Sequence, residues 1–127
     1  MSGEENKALV RRYLDAISGK PKPTSILDQF LSDEILKRHI AETEFGFPNY
    51  EIIAEEMLAD GDKVMVKVLI RGVHRGNFMG IPATGKQIEA LGALIYTITN
   101  GKISDHWMLA DSMTMMQQLG VIPVQEA

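Results

Sequence analysis

The sequence predicts an α+β fold in which helices cover one side of an antiparallel sheet. Three observations indicate this class. Apolar residues recur at helical spacing near the N-terminus, several later runs rich in β-branched residues are separated by turn residues, and a helical pattern closes the chain. Because a strongly curved sheet over helices leaves a hollow, the same order predicts an internal pocket for a small-molecule ligand.

Two helices are predicted in the first third of the chain. Charged residues separate five apolar positions of the first helix, which Gly19 and Pro21 end. These positions are Leu9, Val10, Tyr13, Leu14 and Ile17. Ser25, followed three residues later by Asp28, resembles a capping box and predicts a short second helix that presents Leu27, Phe30 and Leu31.

The following segments are predicted to be mostly extended. Residues 34–39 are expected to form a short strand, EFGFPNY a loop, and residues 50–58 a longer strand. A turn at Asp60-Gly61 leads into the strand KVMVKVLIRGV. QIEALGALIYTIT then reaches Asn100-Gly101, a strong hairpin signal, and KISDHWMLA returns as the last strand.

A short helix is predicted at the end of the chain. Asp111 or Ser112 caps it, Met113, Met116 and Leu119 lie along it, and Gly120 ends it. Met113 and Met116 are expected to be core residues.

Composition favours one globular domain without covalent cross-links. The 127 residues are 45% hydrophobic and 24% charged, which suits a single domain with a real core. The absence of cysteine excludes disulfides, thiolate metal sites and a cysteine nucleophile, and it fits a reducing compartment.

Charge argues against nucleic acid as a partner. The net charge is −4, and the densest basic group is only Arg71, His74 and Arg75. MSGEENK lacks the apolar stretch of a signal peptide, and no run of about 18 apolar residues predicts a membrane span. A cytoplasmic location is therefore expected.

The stretch GIPATGK, from Gly80 to Lys86, fits the start of the phosphate-loop pattern. A true phosphate loop needs Ser or Thr after the lysine and a helix after the loop. Here Gln87 follows, and IEALGALIY alternates as a strand does. The sequence therefore favours a structural connection between two strands, with its glycines at positive φ.

Three segments carry a resemblance to a known family: RGVHRGNFMGIPATGK, NGKISDHWMLAD and the terminal QQLG. Together they resemble the SnoaL-like polyketide cyclase family of the nuclear transport factor 2-like superfamily. The resemblance runs from about Asn6 to Gly120 and implies one SnoaL-like domain over residues 1–127. It implies a cone-shaped barrel, with the curved antiparallel sheet wrapped around the N-terminal helices. It further implies acid–base chemistry in an apolar cavity, with Phe78 and Met79 near its mouth.

The chain departs from the family pattern at two places. Only IAETEFG separates His39 from Phe47-Pro48, where members carry a longer segment, so a wall of the usual pocket is expected to be missing or supplied by a partner chain. The aspartate that family cyclases use as acid and base falls at Met108, and Leu94 replaces a polar neighbour. The residues that transfer protons are therefore expected elsewhere.

The three histidines are the candidates for proton transfer. His74 continues the apolar face of its strand, where a structural histidine is the commoner outcome. His39 is expected to follow the first short strand at the cavity rim. The histidines lie on separate predicted elements without a carboxylate at ligand spacing, so no metal site is expected.

His106 and Trp107 compete for the inner face of the last strand. A three-residue turn with a bulge at Gly101 would pair His106 with Leu94 and place it inside. A two-residue turn would instead pair Trp107 with Leu94. The bulged turn is preferred because it leaves Trp107 and Leu109 on the outer face, where a homodimer could cover them.

The favoured function is a cofactor-free enzyme of cyclase or isomerase type for an apolar, cyclic or carbonyl-bearing molecule. His106 would transfer the proton, and His74 and His39 would orient or polarise the substrate. Two tyrosines would donate hydrogen bonds, and apolar residues would contact the substrate: Tyr13, Tyr96, Phe78, Met79, Leu94 and Met108. The alternatives are a non-catalytic small-molecule binder and a dimerisation module of the same fold.

Overall fold

The computed structural model describes residues 2–123. The helices are α1 (Gly3–Ile17), α2 (Thr24–Phe30), α3 (Glu34–Gly46) and α4 (Ser112–Leu119). The strands are β1 (Glu51–Asp60), β2 (Lys63–Val73), β3 (Gln87–Thr99) and β4 (Lys102–Ala110). They form one curved antiparallel sheet in the order β1-β2-β3-β4, which does not close on itself. The predicted α+β class is confirmed.

The concave face of the sheet and α1 share the main core. Alternate residues of β2 point into it, and Val64, Val66 and Val68 are fully buried. From α1, Val10, Tyr13 and Ile17 are at most 1% exposed. Each such side chain contributes about 1.5–3 kcal/mol of transfer free energy on burial. The three strands β2, β3 and β4 have the predicted bounds because their alternation matches this one-sided core.

The helix α1 begins at a capping box that the sequence analysis did not identify. The Ser2 hydroxyl accepts from the Glu5 N–H, and the Ser2 N–H donates to the Glu5 carboxylate, both at 3.1 Å. The capping box predicted at Ser25 and Asp28 is wrong. Helix α2 instead begins after Pro23, which makes no side-chain cap hydrogen bond.

The strand predicted over residues 34–39 is wrong, because this segment is the first half of α3. Asp33 caps the helix by accepting the Leu36 N–H at 3.0 Å, and Leu36 and Ile40 bury one face at i, i+4 spacing. Glu44, Phe45 and Gly46, expected in a loop, form the end of α3. The whole IAETEFG stretch is therefore helical, and its Thr43 lines a cavity on the concave side of the sheet.

The three-residue turn predicted between β3 and β4 is also wrong, although the orientation of His106 that it predicted is correct. Thr99 pairs with Lys102, so Asn100 and Gly101 form a two-residue turn, and a bulge lies at Ser104, the third residue of β4. One β4 residue is extra there, because Ile98 pairs with Ile103 but Thr97 pairs with Asp105.

This bulge sets which residues of β4 face the core. His106 lies opposite Tyr96, not Leu94, and Met108 lies opposite Leu94. The partner of His106 on β3 differs from the expected one by two residues, so His106 stays on the predicted face of the sheet. The predicted orientation is confirmed, with His106 inside and Trp107 outside at 51% exposure.

The loop that contains GIPATGK connects β2 to β3, as predicted. The backbone of His74 accepts from the Gly85 N–H and donates to the Lys86 carbonyl, each at 2.8 Å. Gly80 and Gly85 have φ of +80° and +72°, where a side chain would be strained. A strand follows the loop, so no helix N-terminus faces it and a phosphate-loop role is excluded.

The last helix confirms its predicted caps. Asp111 accepts the Thr114 N–H at 3.1 Å, and Gly120 ends the helix in the left-handed conformation. Met113 is 59% exposed, so the expectation that it belongs to the core is wrong. Within residues 2–123, the helices are all too short or too polar to cross a membrane.

Candidate functional site

The candidate site begins where the α2–α3 connection meets β4. Leu31 forms a parallel bridge with Ile103, and the Ser32 N–H donates to the Ile103 carbonyl at 2.9 Å. The two segments then run side by side, and the bulge adds one residue on β4. As a result, Asp33 arrives beside His106.

Asp33 and His106 form a close, largely buried pair. Nδ1 of His106 lies 2.7 Å from Oδ2 of Asp33, and the two side chains are 11% and 7% exposed. Because the carboxylate is an acceptor, Nδ1 carries the proton and donates. In the neutral ring Nε2 therefore keeps its lone pair and can act as a base.

The pKa of Asp33 reflects opposing influences. Burial raises it, but the hydrogen bond from His106 and the Leu36 N–H outweigh burial and hold the pKa below its usual value. Asp33 therefore stays ionised, and its charge can stabilise an imidazolium at His106.

His39 lies beside this pair, although not on the element expected. It occupies the middle of α3 and is exposed, and its ring centroid is 5.5 Å from that of His106 with the planes nearly perpendicular. The structure thus brings two of the three predicted histidines together. Their polar rings and the Asp33 carboxylate lie at one end of the concave face.

Tyr13 and Tyr96 lie behind the pair, within the core. Tyr96 is directly opposite His106 on β3, and its ring packs edge-on against Tyr13 at 5.8 Å. Both side chains are about 1% exposed and hydrogen-bond to each other, and burial raises the pKa of each well above its usual value. They remain neutral donors in a buried network.

An apolar cavity of about 140 Å³ lies further along the concave face. It is bounded by α3 and the segment after it, the inner faces of β2, β3 and β4, the β2–β3 loop, and α4, and it is partly open, since Met79 and Met108 in its lining are 77% and 52% exposed. Twelve residues line it: Thr43, Phe47, Tyr50, Ile70, Phe78, Met79, Ile88, Met108, Ala110, Ser112, Met115 and Met116. Phe78, Met79 and Met108 were singled out from the sequence, whereas Leu94 is a core residue only 2% exposed and does not line this cavity.

One end of the cavity lies one helical turn from His39 along α3 and two residues from His106 along β4. Thr43 follows His39 by one helical turn, about 6 Å along α3. Met108 follows His106 by two strand residues, about 7 Å along the same face of β4. The paired histidines thus stand just beyond one end of an apolar cavity.

A broader depression of about 540 Å³ lies on the other side of Phe78. Phe45 and Met79, which are 68% and 77% exposed, line it together with Glu42 and Asn77. The smaller cavity is the better candidate for a reaction site, because Met108 in its lining lies on the same face of β4 as His106.

His74 lies in a different part of the molecule and is fully buried. Its Nδ1 accepts the Thr84 N–H at 3.2 Å and lies 3.0 Å from the Thr84 hydroxyl, and its ring stacks on Phe47. A backbone N–H can only donate, so in the neutral ring the proton is on Nε2. Within the described part of the chain this buried Nε2 has no hydrogen-bond partner.

The structure places two carboxylates beside a histidine, contrary to the expectation that none has ligand spacing. The ligand atoms of Asp33, Asp105 and His106 lie within 4.8 Å of one another. An imidazole and two carboxylates suit a divalent cation, but a cation bound through Nδ1 would replace the 2.7 Å hydrogen bond.

Asp33 is the functional candidate that the sequence analysis missed. The signal for its local role was present, since an aspartate precedes the apolar pair Leu36 and Ile40 at helical spacing. Its contact with a residue 73 positions later follows from the Leu31–Ile103 bridge and the β4 bulge, which no local pattern predicts.

Comparison with known proteins matches the family and the fold of this chain. The profile of the SnoaL-like polyketide cyclases matches residues 8–119, most of the chain. The chain belongs to this family. The resemblance stated from the sequence is therefore confirmed.

Individual relatives are more distant. The aklanonic acid methyl ester cyclase DnrD of Streptomyces peucetius is 36% identical over 61 residues, which are 48% of this chain and 42% of that protein. The structure of AclR from Streptomyces galilaeus superposes with a TM-score of 0.84 at 20% identity, covering 98% of this chain and 87% of AclR. A SnoaL-like polyketide cyclase from Agrobacterium tumefaciens gives 0.76 at 18% identity, covering 94% and 100%. At these identities the structures establish the fold only.

Proposed function

We propose that this SnoaL-like protein is a cofactor-free acid–base enzyme of cyclase or isomerase type that acts on small apolar molecules with a carbonyl group. The observation that carries this proposal is the 2.7 Å pair of His106 and Asp33 on the concave face, next to an apolar cavity. A buried base with a free Nε2 beside such a cavity suits proton abstraction next to a carbonyl.

In the proposed reaction, Nε2 of His106 removes a proton from the carbon next to the substrate carbonyl. The electron pair of that C–H bond forms an enolate, and His106 becomes an imidazolium paired with Asp33. In a cyclase the enolate carbon bonds to a second carbonyl carbon of the same molecule, and the resulting alkoxide takes the proton back from Nε2. The net reaction is a rearrangement, so atoms and charge balance without a further reactant.

The other histidines have different proposed roles. His39 stands 5.5 Å from His106 and is open to solvent, so it is placed to orient or polarise a carbonyl oxygen at the cavity end. His74 binds the backbone of Thr84 through Nδ1, and its proposed role is to hold the β2–β3 loop against Phe47. In this proposal His106 takes the role of the aspartate that family cyclases use. The position of that aspartate falls at Met108, two residues later on the same face of β4.

The test measures deuterium exchange into the methyl group of acetophenone in D₂O by proton NMR. The native protein is expected to accelerate this exchange, and His106→Gln to lower the protein-catalysed rate by about 100-fold or more. Circular dichroism of the variant verifies that it is folded. Equal exchange rates for the native protein and a folded His106→Gln variant would contradict the proposal.

A non-catalytic small-molecule binder is the second candidate. It is favoured by one observation: the residues that line the cavity are apolar or hydroxyl-bearing, and His106 is not among them. Binding of acetophenone without any catalysed exchange would favour this function over the enzyme.

We further propose that two copies of the chain associate through the convex face of the sheet. Leu58, Met65, Ile95 and Trp107 are paired across the four strands in one outward-facing row. Leu58, Met65 and Trp107 are each about half exposed, and such an apolar row is typical of an interface.

Light scattering after gel filtration tests the proposed homodimer. Trp107→Glu is expected to convert a dimer into a monomer, because a charge would be buried in the contact. Met113→Glu changes an equally exposed apolar residue on α4 and is the matched control. A monomeric native protein would contradict the proposal.

A further inference from the structure

The size of the cavity restricts what the proposed enzyme can accept. Its volume of about 140 Å³ is well below the roughly 300–1,000 Å³ of sites for drug-sized ligands. A cavity of about 150 Å³ lined by apolar side chains is known to hold one benzene molecule. One six-membered ring therefore fills the available space.

The walls of the cavity that face the core are fixed by the fold, whereas Met79 and Met108 on its open side are exposed. Phe47, Tyr50 and Ile88 are at most 6% exposed and belong to the main core, so they resist displacement. Their positions set the width of the cavity on the sides formed by the segment after α3 and by β3.

The opposite wall is α4, which carries Met115 and Met116. Gln118 binds the unpaired edge of β3 at Glu89, accepting its N–H at 2.8 Å and donating to its carbonyl at 2.9 Å. Leu119 is 2% exposed and fastens the same helix to the core. The cavity cannot widen on this side without breaking these contacts.

The lining also restricts the charge of the occupant. Among the described residues, none that lines the cavity carries a charge, and the polar groups are the hydroxyls of Thr43, Tyr50 and Ser112. A charged ligand would lose its hydration without a compensating partner.

The distance to His106 restricts where the reactive group stands. Met108, which lines this end of the cavity, lies one strand repeat, roughly 7 Å along β4, from His106. A carbonyl within the ring would stay away from Nε2, whereas a carbonyl on a short side arm at the Met108 end would reach it.

We infer that the site is specific for uncharged single-ring compounds that carry a carbonyl on a short side arm, and that it excludes fused polycyclic ring systems. This inference rests on the proposed function and adds the substrate class to it. The ring occupies the cavity between Phe47 and Met116, and the arm points past Met108 toward His106.

Three methyl ketones with the same arm and increasing ring number test the inference: acetophenone, 2-acetylnaphthalene and 2-acetylanthracene. Protein labelled with ¹³C at the methionine methyl groups reports binding directly by NMR. Acetophenone is expected to shift the signals of Met108, Met115 and Met116, whereas Met65 and Met113, which do not line the cavity, serve as internal controls. Affinity is expected to fall about tenfold or more from one ring to two.

Enlarging the cavity sharpens the test. Met116→Ala removes side-chain volume from the α4 wall and is expected to raise the affinity for 2-acetylnaphthalene about tenfold. Met113→Ala changes the same residue type on the same helix, away from the cavity, and is expected to leave both affinities unchanged.

The outcomes separate this inference from the proposed function. Equal or tighter binding of 2-acetylanthracene by the native protein, with the same methyl shifts, would overturn the single-ring inference. Failure of acetophenone to shift the cavity methionines would also overturn it. Size-selective binding without catalysed deuterium exchange would support the size restriction and overturn the enzymatic function instead.

Discussion

His106 and His74 both point to the concave side of one sheet, yet their hydrogen bonds have opposite consequences. The Nδ1 of His106 meets an acceptor, the Asp33 carboxylate at 2.7 Å, so its proton is on Nδ1 and Nε2 is a base. The Nδ1 of His74 meets a donor, the Thr84 N–H at 3.2 Å, so its proton is on Nε2. The partner of Nδ1 therefore decides whether a buried histidine keeps a lone pair on Nε2 that can accept a proton.

The largest expected effect comes from reversing the tautomer of His106. Asp33→Asn keeps an oxygen to cap α3 but can present an amide N–H₂ to Nδ1, which moves the ring proton to Nε2 and removes the base. We expect acetophenone exchange to fall about 100-fold or more, measured by proton NMR in D₂O.

Asp105→Asn is the matched control for this change. It removes the same charge from the neighbouring position on β4 but leaves the Asp33 hydrogen bond intact. We expect its exchange rate to remain close to that of the native protein. Equal losses in both variants would show that only the local negative charge matters.

The second-largest expected effect is a loss of stability when His74 is replaced. His74→Leu leaves the buried Thr84 N–H without its acceptor, so we expect the free energy of unfolding to fall by about 1–3 kcal/mol in urea titrations. The exchange rate per folded molecule should change little. Thr84→Val, which retains the N–H, should destabilise less than His74→Leu, and a larger loss of exchange in His74→Leu than in His106→Gln would reverse the assigned roles.

The smallest effect is the pH dependence of stability from the Asp33–His106 pair. The pKa of Asp33 is lower in the folded protein than its usual 3.8, so its stabilising contribution is present above that value and disappears as the pH falls through the folded pKa. Near neutral pH, Asp33→Asn should destabilise the protein by about 1–2 kcal/mol.

Urea midpoints of the native protein and Asp33→Asn, measured from about pH 7 to about pH 3, test this dependence. We expect the difference between the two proteins to shrink below about pH 4. A difference that stays constant or grows between about pH 4 and about pH 3 would contradict the lowered pKa of Asp33.

Much of the fold was predictable because its strands bury one face. Alternation, together with the turn residues at Asp60-Gly61 and Asn100-Gly101, located β2, β3 and β4 at their observed bounds, since every second residue must face the core. Residues 34–39 were misassigned because the segment is short and the helical pair Leu36 and Ile40 was not recognised.

The site was less predictable than the fold, for two physical reasons. The face presented by His106 depends on a single bulge in β4, and one residue of register would have exchanged it with Trp107. The partner Asp33 is 73 residues away and arrives through the Leu31–Ile103 bridge. Long-range pairing of this kind leaves no periodic signal in the sequence.

The most direct test of the account is the tautomeric state of the two histidines, measured by two-bond ¹H–¹⁵N correlation NMR on protein with ¹⁵N-labelled histidine. The His106→Gln and His74→Leu variants assign the signals. We expect neutral His106 to carry its proton on Nδ1 and neutral His74 to carry its proton on Nε2. A neutral His106 protonated on Nε2 would contradict the account, because no lone pair would remain there to accept a substrate proton.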